Sequence, residues 1–330
     1  MIKTDKFAFQ YGGHVPIASV GLGEPFEIYT EDAFCGQITS KDDKPRELAP
    51  FPKINPLTGP IAIDGVRTGD VIAVHIIAMD SMRDWGVATI SPNFGLLSSS
   101  PLSPNLQPDQ DEHVWIWEFS TDRQSLVTKS SNGVLLRVPY QPFHGTIGVA
   151  PAHGEIRLGL VAGEFGGNLD ITDIGPGSTL YLRSNVDGGS LYVGDGHYAQ
   201  GDGEITGTAI EGSFNSTLVV DQFSSQEEIL WPRFENNTHI GVIGCARPLD
   251  DAVRIAVTEL VYWVASIATL ELPDAHQLVS QTCKIRIGGM VGTTFNVLCI
   301  IPKNVLSLSL IHISEPTRPR LISYAVFCLK

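Results

Sequence analysis

The sequence predicts a mainly β protein, a β-sandwich or jelly-roll-like body closed by a C-terminal α+β part, on three observations. The 33 glycines and 21 prolines cut the 330 residues into short segments, too brief for most helices and bounded as strands are. Those segments carry β-branched and aromatic residues. A single long stretch, near the C-terminus, follows helical spacing.

The elements follow in chain order. "DVIAVHIIAM", Asp70–Met79, is introduced by the turn "RTGD" and reads as a strand. "SLVTKSSNGVLLRVPY", Ser125–Tyr140, reads as a hairpin across Asn132-Gly133, because Asn-Gly adopts the positive φ values a tight turn requires. In "LDDAVRIAVTELVYWVASIATLEL", residues Ala252, Val253, Ala256, Leu260, Val264 and Ile267 recur at three and four, which predicts a helix capped by Asp250–Asp251 and stopped by Pro273. Two strands, "CKIRI" and "FNVLCIIP", then suggest a helix packed on a sheet. The expected parts are 1–140, an N-terminal β-sandwich part, 141–220, a β-rich part carrying the site, and 221–307, the α+β part. Residues 308–330 resemble translated sequencing-adapter read-through and are set aside as a non-native tail.

Composition narrows the function. With 43% hydrophobic and 18% charged residues, the chain can bury a large core. A formal net charge of −14 and no basic cluster argue against nucleic acid or an anionic membrane as partner. No apolar stretch suits a signal peptide or a membrane span, so a cytoplasmic location is expected. Cys35, Cys245, Cys283 and Cys299 share no CxxC spacing and are expected to be reduced. Neither GxSxG nor GxxxxGK[ST] occurs, which removes the common serine-hydrolase and nucleotide readings. Cys35 reads as a small buried thiol rather than a nucleophile.

Chemistry concentrates in "VGDGHYAQGDGE", Val193–Glu204. On a regular strand Leu191, Val193, Asp195 and His197 share one face. If the connection has an even number of residues, Glu204 opens the next strand on the same side. A carboxylate pair with an imidazole suits Zn²⁺ or a similar ion; an Asp-Gly turn with a histidine hydrogen-bonded beneath it is the structural alternative, and these residues alone do not decide between them. Upstream, "GGNLDI" places Asn168 and Asp170 one residue apart, after Gly167, and "PFHGTIGVAPAHG" places His144 and His153 beside glycines.

Taken in order, "EDAFCGQI", "NPLTGPIAIDGVRTGDVIAVHI", "FHGTIGVAP", "GGNLDI", "PGSTLYL", "GDGHYAQGDGEITGTAIE", "PRFENNTHIGVIG" and "LDDAVRIA" resemble the successive motifs of the acetamidase/formamidase family. The resemblance implies that family's fold and the hydrolysis of small aliphatic amides such as formamide or acetamide. An unreactive amide needs its oxygen polarised and a water activated, so a divalent ion, zinc before calcium, is expected on Asp170, Asp195 and His197. Glu204 would be the general base, His144 a donor to the oxyanion, and Asn168, Gln200, Asp202 and Gly167 the substrate contacts. A homo-oligomer is expected. Tyr198 stands where the family more often has a small residue, and no arginine shortly precedes Gly166-Gly167, which bears on substrate preference. The rival expectation is a non-catalytic jelly-roll that binds a metal or small ligand; scattered tryptophans disfavour a sugar.

Overall fold

The computed structural model describes residues 1–97, 111–223 and 228–306. The tail from 308 and most of the serine-rich run Leu96–His113 lie outside the described residues. Within them, two large and almost wholly antiparallel sheets, of eleven and eight strands, stack face to face. At the centre of the first, Leu191–Ala199 pairs with Phe143–Gly148 along one edge and with Ile210–Gly212 and Leu57–Ile63 along the other. In the second, Val71–Ser81 lies between Thr179–Arg183 and Phe214–Phe223.

Strand alternation explains where the core forms. Along Val71–Ser81, Ile72, Val74 and Ile76 join Ile61, Ile147, Leu191 and Val193 of the facing sheet in one cluster. The intervening Val71 and Ala73 point outward, to Tyr181 and Ile229, as the two-residue period requires. Phe295–Pro302 repeats the pattern: Leu298 and Ile300 face the sandwich, while Val297, Cys299 and Ile301 face a helix. Apolar surface withdrawn from water on both faces of this sheet, at about 25 cal/mol per Å², binds the closing α+β part to the body.

That helix spans Leu249–Ala268 and buries Ala252, Ala256, Leu260, Trp263 and Val264. Its N-cap is Pro248, so Asp250 and Asp251 lie in the first turn instead of capping it. There they meet the positive end of the helix dipole and pair with Arg254 at 2.7 and 2.6 Å. Thr269, in the left-handed conformation, ends the helix before Pro273 is reached. Pro273 instead begins a second helix, Leu272–Thr282, where a proline in the first turn sacrifices no hydrogen bond.

The hairpin across Asn132-Gly133 forms as expected, between Ser125–Lys129 and Leu135–Pro139. The expected boundaries at 140 and 220 do not separate units, because the second sheet interleaves strands from all three parts. No single helix among the described residues is long and apolar enough to cross a membrane.

Candidate active site

Five ionisable side chains meet inside the first sheet. Asp195 and His197 come from Leu191–Ala199, and Glu211 stands in cross-strand register with His197. Asp170 follows the short strand Gly166–Asn168. Glu204 arrives from the long connection between Ala199 and Ile210. All five are buried, from 0% exposure at His197 to 7% at Glu204. His197 Nε2 lies 3.3 Å from Asp195 Oδ1 and 3.3 Å from Glu211 Oε2. Candidate ligand atoms of Asp170, Asp195 and His197 lie within 4.8 Å of one another, as do those of His197, Glu204 and Glu211.

The backbone is shaped for this convergence. Asp170, Asp195 and Glu204 all have left-handed φ, 51°, 50° and 47°, a conformation that costs a non-glycine residue about 1 kcal/mol or more and persists only where the surroundings impose it. Opposite them Gly145 leaves a hollow. A Cβ there would lie 2.7 Å from Asp170 Oδ1, 2.7 Å from Asp195 Oδ2 and 2.9 Å from His197 Cε1, so only glycine lets the groups close in.

The four buried carboxyl groups repel one another when charged, and the imidazole among them attracts them. Burial raises Asp170 well above the usual carboxylate range, with Glu204 and Asp195 pushing the same way. Burial likewise takes Glu204 up to about 8 against the pull of His197, with Glu211 and Asp195 adding to the rise. Glu211 reaches about 7, again through burial against the pull of His197. Burial alone would lower His197; Glu211 and Asp195 outweigh it and hold the imidazole well above its ordinary value. Asp170 Oδ1, Glu211 Oε2 and both ring nitrogens of His197 are buried with no aligned hydrogen bond. Buried polar atoms normally find partners. Oxygen and imidazole atoms converging in this way could hold a divalent cation such as Zn²⁺.

The other predicted residues surround this cluster in different ways. Asn168 braces it, donating from Nδ2 to Asp170 Oδ2 at 2.5 Å and accepting at Oδ1 from Asn55 and Thr146, each at 2.8 Å. Gln200 donates from Nε2 to the Asp170 carbonyl at 2.8 Å and keeps a buried Oε1 without a partner. Gly167 has φ 99°, and a Cβ there would meet the Val161 carbonyl at 2.3 Å. Strand packing thus accounts for that glycine without a substrate. Asp202 points away from the cluster, half exposed, and pairs with Arg286.

His144 is corrected most sharply. As the neighbour of Gly145 it projects to the opposite face, where Nε2 lies 2.8 Å from Ser216 Oγ and Nδ1 3.1 Å from the Gly194 carbonyl. Burial lowers it to about 4, so it is neutral, and both nitrogens are engaged away from the cluster where an oxyanion would form. Tyr198 also faces away, in an aromatic cluster with Phe119, Tyr140 and Phe214. Its side chain packs as core. His153 is exposed. Burial, then Asp32 and Glu31, push the Cys35 thiol up to about 12, too high for a nucleophile at neutral pH.

Glu204 is not the first residue of a strand: with Gly203 at φ 92° and Glu204 at 47° the chain turns, and pairing resumes only at Ile210. Glu211, whose register partner is His197, was not singled out among the sequence candidates. Its signal is an acidic residue inside the apolar stretch "AIEG", on a strand that returns beside "DGH".

The two sheets and their single buried acidic centre among the described residues define a mainly β sandwich protein built around a carboxylate–imidazole site. The chain belongs to the Acetamidase/Formamidase family, whose sequence profile matches residues 12–157 and 160–228, more than half of its length. It is 23% identical to a formamidase of Methylophilus methylotrophus over 235 residues, 58% of this chain and 57% of that protein. The chain therefore spans less than three-fifths of that relative's length. An acetamidase structure from Yersinia enterocolitica superposes with a TM-score of 0.84 at 37% identity, covering 91% of this chain and 90% of the other. An acetamidase from Bacillus halodurans gives 0.82 at 29% identity, covering 92% and 98%.

Proposed function

We propose that the protein hydrolyses a small aliphatic amide, formamide or acetamide, to ammonia and the carboxylate. One observation carries the proposal: five buried ionisable groups meet, with orphaned atoms on Asp170, His197 and Glu211 and with Asp170, Asp195 and His197 closing in beside Gly145, in a chain of the Acetamidase/Formamidase family. Asp170, Asp195 and His197 would hold a divalent ion, with Glu211 beside His197. Such an ion polarises a carbonyl oxygen and acidifies water, the two things an unreactive amide requires.

The chain's own groups supply the rest. Glu204 is raised by burial to about 8, a rise that a cation beside it would oppose, and as general base it would take a proton from water and return it to the leaving nitrogen. The unpaired Gln200 Oε1 can accept from the substrate NH₂ group, while its Nε2 holds the Asp170 carbonyl. Asn168, tied to Asn55, Thr146 and Asp170, keeps the carboxylate oriented. The close burial of the cluster suits an amide of a few heavy atoms.

Ammonia release from formamide and acetamide tests this reading. The wild-type protein should release ammonia from at least one of them. Asp195→Asn and His197→Ala should each lower both the release and the metal content found by elemental analysis. A protein that holds a metal tightly and releases no ammonia from either amide would favour the non-catalytic alternative.

A further inference from the structure

We infer that Arg286, on the strand Lys284–Ile287, is a positioning residue that holds the Glu204 turn and the Asp170 turn at their working separation. The inference rests on the assignment of Glu204 as general base. Arg286 lies beyond the stretch that the family profile matches. Its guanidinium grips Asp202, two residues before Glu204, in a fork: Nε to Oδ2 at 2.9 Å and Nη2 to Oδ1 at 2.8 Å. The same group reaches Thr172 Oγ1 at 3.2 Å and Asp173 Oδ2 at 3.3 Å, two and three residues after Asp170. One side chain therefore ties together the two turns whose acidic residues meet in the cluster.

The backbone extends the tie. Gly203 donates to the Ile287 carbonyl at 3.1 Å and accepts from Met290 at 3.1 Å. Glu204 follows in its left-handed conformation, which a free loop would relax out of. Arg286 and Asp202 are 37% and 44% exposed. An exposed pair of this kind contributes little to global stability, so what it supplies is geometry. A planar fork fixes direction as well as distance, which a lysine ammonium cannot do. A displaced catalytic group loses rate steeply, by about 10²-fold for an ångström.

The test compares Arg286→Met, Arg286→Lys, Asp202→Asn and the double variant Arg286→Met/Asp202→Asn, by formamide kinetics and by amide hydrogen exchange. Arg286→Met should lower kcat by about 10²-fold with KM within about threefold. Arg286→Lys should recover part of the loss, and the double variant should be no worse than Arg286→Met, because both changes break one contact. The amides of Gly203 and Glu204 should exchange faster while those of Leu249–Ala268 keep their protection. If Arg286→Met does not fold, Asp202→Asn, an exposed isosteric change, must show the same kcat loss and local exchange. Near wild-type kcat with unchanged exchange at 203–204 overturns the inference, as does faster exchange spread equally over the Leu249–Ala268 helix. If the wild-type protein releases no ammonia, the proposed function fails, and the exchange experiment still decides whether Arg286 holds the turn.

Discussion

Glu204→Gln is expected to reduce turnover of formamide or acetamide by about 10²–10⁴-fold, the usual worth of general acid–base help, while metal content and melting temperature stay near wild type. Glutamine keeps the shape of the side chain and can still accept a hydrogen bond, but an amide takes no proton at neutral pH. The change therefore removes a base and little else. It also removes one negative charge from a cluster in which Glu204 itself raises Asp170, so the fold has no electrostatic reason to suffer. KM should change little. If metal content falls together with activity, Glu204 is a ligand and not the base; if turnover and metal are both near normal, Glu204 has no part in the chemistry.

Gly145→Ala is expected to be nearly as damaging, although it adds one methyl group and no charge. That methyl would lie 2.7 Å from oxygens of Asp170 and Asp195 and 2.9 Å from His197 Cε1, distances that carbon atoms do not tolerate. Its neighbours Phe143, His144 and Thr146 fix the strand in the sheet, so the side chains must give way. Turnover should fall by about 10²-fold or more, and equilibrium dialysis should show weaker binding of the divalent ion. Normal metal affinity and turnover in this variant would place the chemistry away from the hollow beside Gly145.

The strand-rich body and the closing helix were legible because each has a local cause: a largely apolar run in Asp70–Met79 after the turn "RTGD", an Asn-Gly turn at 132–133, and a three-and-four spacing from Ala252. What failed was punctuation. Asp250 and Asp251 looked like caps but occupy the first turn, and Pro273 looked like a stop but starts a helix, since proline is equally at home on either side of a helix boundary.

The site was legible in part for the same reason. Asp195 and His197 share a strand, so alternation relates them directly. Asp170 and Glu204 reach them through left-handed turns, which no periodicity predicts. Glu211 depends on pairing across a ten-residue connection, and Arg286 on contact between segments 84 residues apart. His144 shows the converse limit: a histidine beside a site glycine belongs to the opposite face of its strand and to the buried Ser216. Family resemblance pointed to the stretch of chain in which Asp195, His197 and Glu204 lie, but only tertiary pairing distinguishes which residues in it face one another.

The most direct test of the proposed centre is a titration of one protein preparation. The protein is stripped with a strong chelator, reloaded with increasing Zn²⁺, and at each step bound metal and ammonia release from formamide are measured together. Turnover should be abolished in the stripped protein and rise in proportion to bound metal, because ligands of this kind bind reversibly. Asp195→Asn should shift the loading to higher Zn²⁺. Full turnover in protein shown by elemental analysis to contain no metal would contradict the assignment of Asp170, Asp195 and His197 as the ligands of a catalytic ion.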